Sequence, residues 1–237
     1  MWKAVFACSA CFAMLVGANT CVAAGTTAAD LTETEARWLK GAWPVIAFAK
    51  SQAIPLDIVV QPQPSPGLAP IALAYVGGRC KLVLSMRGNA EAQATLERIE
   101  PDLLAATLEL VTAHELGHCR RYLDGAWNGL PAGFVAPALP DDINPALRLS
   151  YSDMKATRRE EGYADLVALA WTQQHHPTLY PRLHAWLLAE RSKDLIPGSH
   201  HDTLVWVQLA KDATTLDRTS MFSGSTDLWA TGLALDD

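Results

Sequence analysis

The sequence has little positive charge and no basic run. It contains 19 lysine and arginine residues against 25 aspartate and glutamate residues, a net charge of −6 at neutral pH. Adjacent arginines occur as two isolated pairs, Arg120-Arg121 and Arg158-Arg159, which we interpret as solvated helix faces. Because a nucleic-acid surface needs clustered cations that neutralise phosphates, we expect no nucleic-acid partner.

Long hydrophobic runs are also scarce. The apolar run from Ala4 to Gly17 follows Lys3 and is too short to span a membrane comfortably. Small residues follow it, and Val22-Ala23-Ala24 resembles a signal-peptidase site. We therefore predict a signal peptide over 1–24, a periplasmic or secreted location, and no stable membrane association after cleavage. Loss of Lys3 would change the net charge from −6 to −7. The alternative is an uncleaved anchor.

Cysteine is rare after this segment. Three of the five cysteines lie within the predicted signal peptide, which leaves Cys80 and Cys119. In an oxidising compartment two remaining thiols tend to pair, so we predict a Cys80–Cys119 disulfide. Two separately buried thiols are the alternative, because the geometry of a disulfide is strict.

The sequence contains no internal repeat. Its 237 residues, half of them hydrophobic, suffice for one domain over 25–237. We divide that domain into an N-terminal α/β lobe at about 30–127 and a helical lobe at about 146–212.

The first lobe is predicted to combine a helix with a small sheet. Thr32 and Glu35 have the spacing of a capping box ahead of a helix over Ala36–Lys50, which Pro44 should kink or divide. Gly77-Gly78 favours a hairpin, and a proline-rich stretch favours a loop before it. The predicted strands are Leu56–Gln61, Ile71–Val76 and Cys80–Met86, and the predicted loop is Gln61–Pro70.

The sequence after the predicted strands is predicted to be helical, and the predicted fold class is therefore α+β. Helical spacing of apolar residues begins near Pro101 and stops near Gly125. The predicted helices are Pro101–Leu123, Ser152–Gln174, Tyr180–Lys193 and Asp202–Lys211, with an irregular connection over Asn128–Pro145. Trp171, Trp186 and Trp206 are expected in the core. No element is predicted after Thr214.

The segment His114-Glu115-Leu116-Gly117-His118 lies within the first of these helices. His114 and His118 are one turn apart, so both imidazoles can reach one metal ion. Glu115 lies beside them and can take a proton from a water at that ion. Gly117 avoids crowding the helix face. The alternative is an ordinary helix with two surface histidines.

A catalytic zinc ion usually has three protein ligands. Glu161 and Asp165 lie one turn apart on a second predicted helix, so Glu161 can complete the site while Asp165 hydrogen-bonds a ligand histidine. Asp124, six residues after His118, is a competing third ligand, although a helix continuing through Arg121 would carry it away. Glu160 is a weaker candidate because Ala164 stands one turn on.

This pattern, His114-Glu115-x-x-His118 followed by Glu161-x-x-x-Asp165, resembles the gluzincins, the thermolysin-like clan of zinc metallopeptidases. The resemblance covers roughly Pro101–Trp171 and implies a zincin-like fold. It implies one zinc ion (Zn2+) bound by His114, His118 and Glu161. In that clan the residues matching Glu115 and Asp165 serve as general base and as support for a ligand.

Peptide hydrolysis also needs a donor for the developing oxyanion. His201, with its neighbour His200, and Tyr151 are candidates. His175-His176 we interpret as a polar helix end. The strand over Cys80–Met86 could be an edge strand that pairs with extended substrate, as in zincins generally, or a plain core strand.

The expected function is therefore hydrolysis of peptide bonds in a peptide or protein substrate. One alternative is a zincin-like protein that binds metal and interacts with partners without cleaving. Another is a zinc hydrolase of non-peptide amides or esters, which the same chemistry permits.

Overall fold

A computed structural model describes residues 31–62, 69–127, 143–193, 195–216 and 220–236. These residues form an α+β structure with seven α-helices and one mixed three-stranded sheet. The predicted signal peptide and most of the predicted 128–145 connection lie outside the described residues. The helices are α1 Glu33–Ser51, α2 Ala90–Arg98, α3 Leu104–Leu123, α4 Arg148–His175, α5 Tyr180–Ser192, α6 Leu204–Leu209 and α7 Met221–Asp236; the strands are β1 Leu56–Pro62, β2 Ile71–Val76 and β3 Arg79–Arg87.

Helix α1 begins with the predicted capping box. The Thr32 side chain accepts a hydrogen bond from the Glu35 backbone N–H, and the Glu35 carboxylate accepts one from the Thr32 N–H. Arg87 adds an ion pair to the buried Glu35 at 2.9 Å. The helix continues through Pro44, so Pro44 does not divide it.

The sheet has the strand order β1-β3-β2. Strand β3 pairs in parallel with β1, from Leu56 opposite Cys80 onward, and antiparallel with β2. Gly77 and Gly78 form the hairpin turn with φ values of +60° and +78°, a conformation that favours glycine. Because β3 is hydrogen-bonded on both sides, the edge-strand prediction for Cys80–Met86 is wrong and the core-strand alternative is confirmed.

The predicted disulfide is formed. Cys80 at the start of β3 and Cys119 near the end of α3 are bonded, and both residues are fully buried. The bridge fixes the hairpin of β2 and β3 to α3, which carries the histidine motif.

Helices α3 and α4 pack against each other along the centre of the molecule. Helix α3 begins at Leu104, later than the predicted Pro101, and Gly125 with a φ of +100° follows its end. Between the two helices Arg121 donates two buried hydrogen bonds to Glu160, at 2.7 and 3.0 Å. Arg121 and Arg159 are buried, so the interpretation of both arginine pairs as solvated faces is wrong for these two residues.

Two helices were not predicted. Helix α2 is capped by Asn89, whose side chain accepts from the Glu91 N–H, and its Ala92 carbonyl accepts from the Trp38 indole. Helix α7 packs on α4 and buries Trp229, whose indole donates to the Arg159 carbonyl.

Most of the predicted aromatic core is present. Trp171 and Trp206 are buried, and Trp186 packs on the core while remaining partly exposed. Within the described part of the chain, none of the helices combines the length and the apolar composition that crossing a membrane requires.

Candidate metal centre

Helices α3 and α4 bring three potential metal ligands together. The Nε2 atoms of His114 and His118 are 3.1 Å apart. Glu161 on α4 places one carboxylate oxygen 3.3 Å from the His114 Nε2 and the other 3.3 Å from the His118 Nε2. The three residues could therefore hold a metal ion. Glu161 lies 43 positions after His118 in the chain, so packing of the two helices builds the cluster.

The spacing of these atoms fits a small divalent cation. Tetrahedral zinc with ligand bonds of 2.0–2.2 Å has ligand atoms roughly 3.3–3.5 Å apart. The separations of 3.1 and 3.3 Å in the cluster lie close to that range. The Oε2 atom of Glu161 is buried and has no hydrogen-bond partner in the described part of the chain, an unfavourable state that a bound cation would relieve. Two imidazoles and one carboxylate are also ligand types that zinc accepts.

Asp165 supports the cluster from the other side of His114. Its Oδ1 lies 2.9 Å from His114 Nδ1, so His114 presents Nε2 to Glu161 and His118. Asp165 is itself fully buried and accepts hydrogen bonds from the Arg191 guanidinium and from the Thr203 hydroxyl. A carboxylate held from two further elements fixes the orientation of the His114 ring.

Sequence reasoning missed Arg191 and Thr203. Arg191 lies in the last turn of α5, on the same buried stripe as Leu183 and Leu187. A charged residue in an apolar stripe at this spacing was the available signal that it meets a buried partner. Thr203 precedes α6, and no local pattern points to Asp165.

Glu115 is buried beside the ligands, with 4% of its surface exposed. Burial raises the pKa of its carboxyl, which the charges of His114 and His118 partly oppose. The sequence places Glu115 next to His114 on α3, and the helix keeps it within the same enclosed region.

The carboxylates of Glu161 and Asp165 respond differently from Glu115. Burial by itself raises the pKa of each carboxyl. Around Glu161 this effect is outweighed by His118 and His114, which lower its pKa. Around Asp165 it is outweighed by Arg191 and His114, which lower its pKa as well. Burial lowers the pKa of His114, yet Asp165 and Glu161 raise it to about 10. The cluster is thus held together by opposite charges.

The two candidate oxyanion donors lie at different places. His201 lies beside the cluster, with its Nδ1 3.8 Å from the Glu161 Oε2, and neither ring nitrogen has a hydrogen-bond partner among the described residues. Burial lowers the pKa of His201 to about 4, against the opposing effect of Glu161. Tyr151 lies near the start of α4, ten residues and about 15 Å of helix axis from Glu161.

The competing ligands are engaged elsewhere. Asp124 ends α3 and pairs with Arg120 at 2.9 Å, and Glu160 is bound by Arg121. The histidines at the end of α4 also lie outside the cluster: His175 stacks on Trp171, and His176 bonds Glu109 at 2.9 Å.

Gly117 has a role different from the predicted one. An added Cβ would lie 2.9 Å from the Ala164 Cα and 3.2 Å from the Val167 Cβ. Gly117 therefore allows α3 to approach α4 closely, instead of keeping space free at the metal cluster.

Comparison of the chain with protein-family models, with curated proteins and with solved structures finds no match.

Proposed function

We propose that this protein is an exported zinc-dependent peptidase that hydrolyses peptide bonds, with a zincin-like arrangement of its site. The observation that carries the proposal is the convergence of His114, His118 and Glu161 around one position, with the buried carboxylate of Glu115 beside it. The donor set and its spacing support zinc as the ion.

The roles of the residues follow from their positions. A bound zinc ion would supply Lewis-acid activation of the attacking water and of the scissile carbonyl. Glu115 takes the proton of the attacking water and delivers it to the leaving amine. Asp165 keeps His114 in the tautomer that presents Nε2, and Arg191 and Thr203 hold Asp165 in place.

His201 is the preferred donor for the developing oxyanion. Its ring nitrogens have no hydrogen-bond partner within the ranges that the structure describes, and it lies on the Glu161 side of the cluster. With a pKa near 4, the ring is neutral at pH 7 and donates through an N–H, without carrying a charge. Tyr151 remains the second candidate.

The Cys80–Cys119 bond supports the exported location, because structural disulfides persist in oxidising compartments. The substrate class that follows is extracytoplasmic peptide or protein. Two alternative functions fit the same cluster. One is a metal-binding protein without turnover, and the other is a hydrolase of other amides or esters.

The test separates metal binding from chemistry. The mature protein and three variants, Glu161→Ala, Asp124→Ala and Glu115→Gln, are analysed for bound zinc and incubated with a broad peptide library. We expect Glu161→Ala to lose zinc, Asp124→Ala to keep zinc and activity, and Glu115→Gln to keep zinc and lose cleavage.

Two results would contradict the proposal. Loss of zinc only in Asp124→Ala would assign the third ligand to Asp124. A zinc-loaded wild-type protein that cleaves no peptide would favour a metal-binding protein without turnover. If that protein instead cleaves other amides or esters, the result would favour a hydrolase of those substrates.

A further inference from the structure

A row of three aromatic rings lies just beyond the metal-binding turn of α3. Tyr75 at the end of β2 stacks on Tyr122 of α3, with ring centroids 5.1 Å apart and planes within 3°. Trp127 lies against Tyr122, at 5.2 Å and a tilt of 35°. Tyr75 and Tyr122 are half-buried, and Trp127 is 37% exposed.

The row is adjacent to the candidate metal centre. Tyr122 follows His118 by four residues, which is one turn of helix and about 6 Å along the axis. His118 and Tyr122 therefore face the same side of α3. For an extended peptide lying along α3, which advances about 3.3 Å per residue, the row is about two residues from a bond cleaved at the metal cluster.

The position of the row is rigidly determined. Tyr75 is paired across the hairpin with Cys80, whose disulfide partner Cys119 lies one turn before Tyr122 on α3. The disulfide and the tyrosine stack thus join the same two elements side by side. A preorganised aromatic surface binds with less loss of side-chain entropy than a mobile one.

Trp127 adopts a conformation that its residue type disfavours. Its φ is +60°, in the left-handed region where a bulky residue is an outlier and glycine is preferred. Strain of this kind is retained where the exposed side chain has a use that outweighs its cost. Folding alone would be better served by glycine at this position.

The described charged side chains beside the row form ion pairs with one another. Arg120 pairs with Asp124 at 2.9 Å, next to Tyr122 in sequence. Arg79 pairs with Asp57 at 2.6 Å beside the hairpin turn, at the same end as Tyr75, and Lys81 pairs with the same carboxylate. The three rings themselves carry no charge, and the described charged side chains beside them are engaged with one another, so the rings favour an aromatic occupant.

We propose that Tyr75, Tyr122 and Trp127 form a binding subsite for an aromatic side chain of a peptide substrate, about two residues from the cleaved bond. The proposal rests on the proposed peptidase function for its place in a reaction, but the binding itself does not require turnover. Trp127 is the exposed member and makes the largest contact.

The test uses fluorescein-labelled decapeptides of glycine and serine that contain either two adjacent phenylalanines or two further serines. Their binding is followed by fluorescence polarisation, with the zinc-loaded mature protein carrying Glu115→Gln so that no peptide is consumed. In that background Trp127→Gly is compared with Trp127→Ala, and with Trp43→Ala, which removes a tryptophan that is 57% exposed on α1. Thermal melts accompany each variant.

We expect the phenylalanine peptide to bind at least tenfold more tightly than the serine peptide. Both Trp127 variants should weaken that binding by roughly tenfold, while Trp43→Ala leaves it unchanged. Trp127→Gly should melt at the same temperature or higher, because glycine relieves the positive φ, so loss of binding cannot come from misfolding.

Equal binding of the two peptides, or unchanged binding in Trp127→Gly, would overturn the subsite. Cleavage of the same peptides by the wild-type protein is measured in parallel. Cleavage that is unchanged when Trp127 is replaced would refute the subsite and still support the peptidase function. Binding that depends on Trp127, together with no cleavage of these peptides or of any member of the broad library, would refute the peptidase and leave the binding site supported.

Discussion

Gly117 lies directly against Ala164, so that an added Cβ would stand 2.9 Å from the Ala164 Cα. This contact brings α3 and α4 together one residue before His118. Because the candidate ligands come from both helices, the distance between the helices sets the distance from His114 and His118 to Glu161.

Gly117→Ala should therefore weaken both the fold and the metal site. Alanine in an open helix stabilises by about 1 kcal/mol relative to glycine. Here we expect the opposite sign, a loss of about 1–3 kcal/mol from overpacking, together with weaker zinc binding. Urea unfolding of the metal-free protein and a competitive zinc titration measure the two effects.

The exposed Ala105 on the same helix offers the matched control. Ala105→Gly should cost about 1 kcal/mol through helix propensity alone and leave zinc affinity unchanged. A Gly117→Ala protein that is more stable than wild type would show that the two helices are not in close contact there.

Asp165→Asn should lower zinc affinity by about 10–100-fold while all three ligands remain. Asparagine keeps an acceptor but loses the charge that orients His114 and that pairs with buried Arg191. Because buried Arg191 loses its closest charged partner, we also expect a loss of about 3 kcal/mol in the metal-free protein. Isothermal titration calorimetry measures the zinc affinity, and chemical unfolding measures the stability of the metal-free protein. Asp124→Asn, on an exposed pair with Arg120, should change neither quantity appreciably.

Removal of the disulfide should destabilise the protein strongly. Cys80 and Cys119 are 39 residues apart, and closing a loop of that size contributes about 3–4 kcal/mol by restricting the unfolded chain. We expect the double variant Cys80→Ser, Cys119→Ser to show this loss in denaturant unfolding. Reductant under unfolding conditions should lower wild-type stability and leave the double variant unaffected; an equal effect on both would argue against the bond.

Glu35 should make stability depend on pH. Burial raises the pKa of its carboxyl, but hydrogen bonds from Arg87 and Thr32 outweigh burial and lower the pKa below its ordinary value. A folded pKa below the unfolded one gives stability that is present above about pH 4.3 and lost as the pH falls through the folded pKa.

Glu35→Gln should thus cost about 1–2 kcal/mol at pH 7 and progressively less below about pH 4. Unfolding free energies at a series of pH values measure the difference between the two proteins. Glu33→Gln changes an exposed carboxylate in the same turn and should give a nearly constant, small difference. A cost for Glu35→Gln that grows as the pH falls would contradict the assignment.

Much of the local structure could be predicted from the sequence. The alternation in β2, the paired glycines at 77 and 78, and the capping box at Thr32 each depend on neighbours a few residues away, and the structure agrees with them. The helix carrying His114 and His118 was predicted for the same reason, because one turn suffices to align both rings.

Contacts between residues that are far apart in the sequence could not be predicted in this way. The alternation of β3 is compatible with an edge or a central strand, and only pairing with both β1 and β2 decides between them. Helix α7 lacks a clear polar face, so its periodicity gave no signal, although Trp229 within it is fully buried. Arg191 meets Asp165 because α5 folds back onto α4, a relation that no spacing in the chain encodes.

The disulfide between the hairpin and α3 has a kinetic consequence. Thiol–disulfide exchange requires an attacking thiolate to reach a sulfur atom, and both cysteines are fully enclosed. Under native conditions a small reductant must therefore wait until the hairpin separates transiently from α3. The rate at which the native protein is reduced then measures how often the hairpin and α3 separate locally beside the aromatic row.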